Sequence, residues 1–333
     1  MNNFCSNFET LFNGYIIFAI STFGFILNTL CLIAFIHIIR FINSKENIFK
    51  YLITKSICDS YLMARLLTFR LIDSSFIQFN FESTLHYCIL HQIFDSYVSL
   101  SLQMMSIYCE IAANFNRYRK LVDYKIFNLL NRIPVLMKII LIGLFSFAFY
   151  SFKFIEETCM LTTMNTTDHD HYKLITTSLF QHELTQSVMT FLHTILRDGL
   201  GILFIVLLNI LMYVEIRKLL NKKRQIQIKS NNDESKINKT ERTITLMVIA
   251  SSMLTVCGHV LIFVYKLPII DNQGYKSNRC LRVFSLFFYY VSYSSHFFIY
   301  FLFNNHFRRV FTRCFLDIKK IYHSKTKSML SSN

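Results

Sequence analysis

A carboxylate, a guanidinium and an imidazole stand among apolar residues in this sequence. Asp59 lies in "YLITKSICDSYL" (51–62), Arg117 ends a long apolar stretch in "ANFNRYRKL" (113–121), and His296 opens "HFFIYFLF" (296–303). A charge inside hydrocarbon is costly, so such a residue pairs, faces a polar interior, or is itself functional. Lys55 is one helical turn before Asp59 and is its local partner. An arginine at the rim of a membrane can snorkel into the headgroups, and Arg119 and Lys120 add to the positive charge there. His296 brought near Asp59 would make that polar pocket titratable.

Catalytic signatures are missing. The sequence has no glycine-rich phosphate loop, no Cys-x-x-Cys zinc pattern and no serine elbow with a recognisable base. "DHDH" (168–171) reads as a solvated acidic patch, because adjacent residues on a loop rarely close a metal site. The expectation is a protein that is not an enzyme.

The elements that must position these residues are membrane-spanning helices. The 333 residues are 53% hydrophobic, with 35 Phe but only 7 Gly and 2 Pro, and the apolar residues come in long blocks. About 20 such residues cross the hydrocarbon as a helix, since lipid offers the backbone no other hydrogen-bond partners. Seven blocks are read, near 14–38, 50–72, 90–116, 134–155, 190–219, 243–266 and 281–303. The net charge of +15 gathers at alternate block ends, which points to a cytosolic face and away from nucleic acid. The run 217–242 and the tail after Arg308 are basic, whereas Glu9, Asp73, Glu156, Glu157, Asp168 and Asp170 lie on the opposite side. The positive-inside rule therefore predicts an extracellular N-terminus and a cytosolic C-terminus, which requires an odd number of crossings. The expected architecture is all-α: an extracellular tail (1–13), a seven-transmembrane helix bundle (14–303), a short amphipathic helix (304–316) and a cytoplasmic tail (317–333). The first block, with no Lys or Arg before it, reads as an uncleaved span.

Several motifs resemble the rhodopsin-like G-protein-coupled receptors. Asn116-Arg117-Tyr118 is similar to their third-helix acid-Arg-Tyr motif, with an amide in place of the acid. Asn28 in "GFILNTLCL", Asp59 and Ser106 match their buried Asn, Asp and Ser; Tyr213 matches the fifth-helix Tyr. In "HFFIYFLFNNHFRRVFTRCF" (296–315), Tyr300, Asn304, Phe307, Arg308 and Phe311 keep the spacing of the seventh helix and the amphipathic helix after it. His296-Phe297 replaces Asn-Pro, "CGHV" (257–260) replaces Cys-Trp-x-Pro, and Ile205 replaces the fifth-helix proline. Proline kinks such helices, so these departures predict that the kinks are lost.

The resemblance implies a plasma-membrane receptor that couples an extracellular ligand to a heterotrimeric G protein. Asn116, Arg117, Tyr118, Tyr213 and Tyr300 would form the activation switch. With Asn116 as neighbour, the ionic lock on Arg117 would be weakened and basal activity raised. Asn28, Asp59, Ser106 and His296 would line an inner polar pocket, with a sodium ion at Asp59 as the one expected cofactor. A Cys88–Cys159 disulfide is implied too. Cys314 is a palmitoylation candidate at a helix whose Arg308, Arg309 and Arg313 would meet anionic membrane lipid. Asn165, in an extracellular sequon, is expected to be glycosylated. Cys5 and Cys280 could also pair, whereas Cys31, Cys58, Cys109 and Cys257 read as packing residues.

The ligand is constrained by exclusion. Ser99 stands where amine receptors carry an aspartate, and Tyr290 where opsins need a lysine. Arg65, Asp95, Arg197 and Asp198 lie towards the outer half; they could hold charged ligand ends, such as those of a peptide, or pair with one another. A peptide ligand is favoured, with a small-molecule chemoreceptor of the same fold as the alternative. A transporter or channel is disfavoured because Gly and Pro, which interrupt such helices, are scarce.

Overall fold

The computed structural model describes residues 11–41, 47–73, 85–122, 133–162, 171–178, 183–226, 234–266 and 275–313. Helix α1 begins with a π-helical turn, Phe12–Ile16, and runs on through Ile17–Phe41. Helix α2 is Ile48–Asp73. Helix α3 combines Leu85–Leu90, a π-helical stretch His91–Val98, and Ser99–Val122. Helix α4, Val135–Tyr150, starts after Pro134, where the missing N–H costs no helical bond. The short α5, Lys153–Glu156, leads into strands β1, Glu157–Thr162, and β2, His171–Thr176. Helix α6 joins Glu183–Thr194, a π turn Ile195–Gly199, and Leu200–Ile226. Helices α7, Glu234–Tyr265, α8, Tyr275–Ser294, and α9, His296–Phe303, come next, and α10 covers 305–313.

Four segments are long and apolar enough to cross a membrane: Ile17–Arg40, Val135–Glu156, Phe191–Leu219 and Arg242–Tyr265. Leu281–Ser294 and His296–Phe303 pass the same test together as a pair bent by 42°. Their outer surfaces carry Leu136, Leu144, Leu203 and Leu302, exposed apolar side chains suited to lipid contact. Helices α2 and α3 are 26 and, from Ser99, 24 residues long, but they carry ionic residues that lower their mean hydropathy.

Two features correct the expectations from sequence. First, the described residues are nearly but not wholly helical. Strands β1 and β2 pair antiparallel, from Glu157 opposite Thr176 to Thr162 opposite His171. The Cys88–Cys159 disulfide ties this hairpin to the start of α3, with the two Cα atoms 6.0 Å apart, and Gln92 also donates to the Glu157 carbonyl. Second, the chain bends between α8 and α9 without proline. Ser294 and Ser295 hydroxyls donate to the Val291 carbonyl at 3.1 and 2.6 Å, and Ser292 donates to Tyr289 at 2.7 Å. Serine back-bonding of this kind competes with the helical ladder and bends helices. Asn28 of α1 meets the bend by donating to the Tyr293 carbonyl at 3.1 Å.

At the Arg117 end of the bundle, Phe35, Phe49, Phe297, Tyr300 and Phe307 form an aromatic core, with the Tyr300 and Phe35 ring centroids 5.0 Å apart. Asn304 starts α10 by accepting from the His306 and Phe307 backbone N–H groups at 3.0 and 3.1 Å. Phe307 and Val310 are buried, while Arg308, Arg309 and Arg313 are exposed, so α10 is amphipathic. Cys314, Asn165, Cys5 and the first three residues of "DHDH", Asp168, His169 and Asp170, lie outside the described residues, whereas His171 begins β2.

Candidate functional site

Two buried polar clusters lie along the bundle interior. The first is built around Lys55 of α2, whose ammonium is within 3.2 Å of Asp59 Oδ2, Glu110 Oε2 and Ser106 Oγ. Ser106 donates to Asp59 Oδ1 at 2.6 Å, so both Asp59 oxygens are engaged. The face of Tyr293 covers the ammonium at 5.7 Å from the ring centroid. Thr255 of α7 donates to Glu110 Oε2 at 2.7 Å. Its one proton is then committed, so the 3.2 Å contact with His296 Nε2 makes the imidazole the donor.

This cluster answers several expectations. Asp59 does meet Ser106, and it is also paired with Lys55. Asn28 caps the bend at Tyr293 instead of joining the carboxylate. His296 engages Thr255, on a chain that leads to Glu110, and not Asp59. Glu110 and Thr255 belong to the cluster although no sequence motif singles them out. A signal for Glu110 is nonetheless present: it is a second acid within the third apolar block, one turn after Ser106.

The second cluster is nearer the disulfide. Arg197 and Asp198 are adjacent, yet both are buried, at 2% and 0% exposure. The π turn Ile195–Gly199 holds them, and its widened turn lets neighbouring side chains share an interior face. Arg197 Nε and Nη2 donate to Asp198 at 2.9 and 2.6 Å, and Nη1 donates to Gln103 at 3.0 Å. His259 of "CGHV" lies 3.2 Å from Asp198 through Nδ1 and 3.3 Å from the Tyr293 hydroxyl through Nε2. A carboxylate only accepts, so Nδ1 donates to Asp198. Tyr289 donates to Gln103 at 2.9 Å and touches Tyr293 at 3.3 Å. Tyr293 thus belongs to both clusters, with its hydroxyl in this one and its ring over Lys55.

Arg65 and Asp95 also form an ion pair, with His91 Nε2 3.5 Å from Asp95. The four charged ligand candidates therefore pair as Arg65–Asp95 and Arg197–Asp198, one of the two alternatives left open by the sequence. Ser99 is fully buried and gives its hydroxyl proton to the Phe94 carbonyl at 2.7 Å. Tyr290 packs beside Tyr289, with ring centroids 5.7 Å apart.

Arg117 is fully buried, and its Nε donates to Thr245 Oγ1 of α7 at 2.8 Å. Asn116 accepts from Arg119 at 3.2 Å. Tyr118 packs on the aromatic core, and the Tyr300 hydroxyl is 3.4 Å from Ser251 Oγ. Tyr213 does not join this group: it is 55% exposed, with the Arg217 guanidinium 5.9 Å from its ring centroid. The interior face of α6 is set by Ile205, Leu208, Asn209 and Met212, and one residue further along a helix turns the side chain away.

No protein-family model matches this chain, and no curated protein matches it. The functional reading therefore rests on the geometry. Among the described residues, no group of three or more His, Cys, Asp or Glu side chains could hold a metal ion. What the clusters can do is store charge at helix junctions: Lys55, Glu110 and Thr255 link α2, α3 and α7, and Arg197, Asp198 and His259 link α6 to α7. A displacement of one helix must break charge-assisted bonds in a low-dielectric interior.

Proposed function

We propose that this chain is a seven-span plasma-membrane receptor of the rhodopsin-like class, with its N-terminus outside, that converts ligand binding into activation of a heterotrimeric G protein. The observation that carries the reading is Arg117. It is buried at the end of α3, held by Thr245 on α7, beside an amphipathic helix whose arginines face outward. Separating α7 from α3 would release this guanidinium towards a cytosolic partner. The polar line from Asp198 through His259 and Tyr293 to Lys55 gives a contiguous route by which a ligand near the disulfide end could bias that separation. The seven-span count adds α2 and α3 to the apolar helices. Their buried ions pair inward, so low mean hydropathy is compatible with crossing lipid.

The sequence favours a peptide ligand. The small-molecule reading gains from one observation, that Arg65 and Asp95, and Arg197 and Asp198, already neutralise each other. A ligand that packs against aromatic side chains without breaking these pairs avoids unpairing buried charge. The test is surface expression of the tagged chain with G-protein activation sensors, screened against peptide and odorant libraries. Tags should show the N-terminus outside and the Arg117 end inside, and a ligand should raise G-protein activation in the wild type but not in Arg117→Ala. Both ends of α3 on one side of the bilayer, or ligand-driven ion flux without a G protein, would overturn the reading.

A further inference from the structure

The resemblance implies a sodium ion at Asp59, and the residues around Asp59 do not fit one. We propose that Lys55 is a tethered occupant of this cation site, so that the native chain takes up no sodium there and α2 is clamped to α3 by its own ammonium. Three oxygens from two helices, Asp59 Oδ2, Glu110 Oε2 and Ser106 Oγ, lie 3.2 Å from Lys55 Nζ. They are the oxygens a monovalent cation beside Asp59 would need, and Tyr293 closes the cage from above. The lysine is 2% exposed and sits one turn from Asp59 on the same helix, so its charge has no water to retreat into. Being covalently attached, it competes with a free ion without losing translational freedom, which is the advantage of any intramolecular ligand. A second cation in the same cage would meet the ammonium at close range and be repelled.

Several groups hold the arrangement. Thr255 donates to the Glu110 oxygen that also faces Lys55, and Ser106 donates to the Asp59 oxygen that does not. Each carboxylate thus has one bond to the ammonium and one to a hydroxyl. Removing only the lysine would leave a buried cage of oxygens with two negative charges, which is a cation site in its own right.

The experiment measures thermal unfolding of the purified full-length chain in detergent, in sodium chloride and in choline chloride at matched ionic strength. The wild type is expected to unfold at the same midpoint in both. Lys55→Met should unfold earlier in choline and recover in sodium, by roughly 3 °C at ten times the dissociation constant. Lys55→Met with Glu110→Gln keeps one carboxylate, tolerates the loss of the ammonium better, and should show the same sodium response. Adding Asp59→Asn to that pair should abolish it. A sodium-dependent wild type overturns the proposal, as does a folded Lys55→Met/Glu110→Gln protein indifferent to sodium. Because the readout is stability, a negative result leaves the receptor reading untouched, and failure of the receptor reading leaves this result standing.

Discussion

Lys55 of α2 and Glu110 of α3 stand 3.2 Å apart, and both are at most 3% exposed. Breaking a buried ion pair by removing one partner is strongly destabilising, because the other charge stays behind. Lys55→Met alone is therefore expected to cost about 3–5 kcal/mol. Glu110→Gln alone should cost far less, since Asp59 remains to neutralise the ammonium. Thermal or denaturant unfolding in detergent checks this asymmetry, and equal losses would contradict it.

The pairing of Arg197 with Asp198 leads to a similar prediction at the disulfide end. Asp198 accepts from Arg197 and His259 and has Lys266 3.8 Å away. Asp198→Asn should lower stability by about 3–5 kcal/mol. His259→Gln, which retains a donor, should cost about 1 kcal/mol. Thermal or denaturant unfolding in detergent separates the two.

At the Arg117 end one restraint is the Thr245 hydroxyl, which accepts from the guanidinium. Thr245→Val removes the acceptor that holds Arg117 Nε, a loss of about 1.5 kcal/mol, or roughly ten-fold in a two-state equilibrium. On the proposed receptor reading, ligand-free G-protein activation should rise accordingly, and Thr245→Glu should lower it. Asn116→Asp should lower it less, because Asn116 engages Arg119. Basal signalling at matched surface expression is the measurement; no change in either Thr245 variant would remove Arg117 from the switch.

Gly258 allows α7 and α8 to approach closely. A Cβ there would lie 2.6 Å from Ser292 Cβ and 3.1 Å from the Phe288 carbonyl oxygen, so even alanine must push the helices apart. Gly258→Ala is expected to destabilise by about 1–3 kcal/mol, the usual range for overpacking. Gly258→Ala with Ser292→Gly should recover part of that loss in the same unfolding assay.

The disulfide closes 71 residues of chain, for which the loop-entropy estimate is about 4 kcal/mol. Cys88→Ser should lower the unfolding midpoint by several degrees, and Cys88→Ser/Cys159→Ser should add little further loss, because either change opens the same bond.

Composition and local spacing are the part of this protein that the sequence determined by itself. Long apolar blocks require helices, because lipid offers the backbone no partner, and the sided basic charge gives an orientation to test. Spacing along α10 set an apolar face of Phe307 and Val310 against an arginine face. The resemblance also implied the Cys88–Cys159 bond, which the structure contains.

Only the tertiary structure decided the partners. Helical period says which side of a helix a residue occupies, but not which helix lies opposite. The burial of Asp59 is thus legible in the sequence, whereas its neighbour Glu110, 51 positions further along the chain, is not. Arg197 and Asp198 both face the interior within a π turn, and sequence does not announce π turns. At the bend without proline, three serines donate to carbonyls of their own helix, an arrangement that competes with the helical ladder and that spacing alone does not announce. In each case the deciding term is burial: once water is excluded, a polar group must find a protein partner, and only packing determines which one.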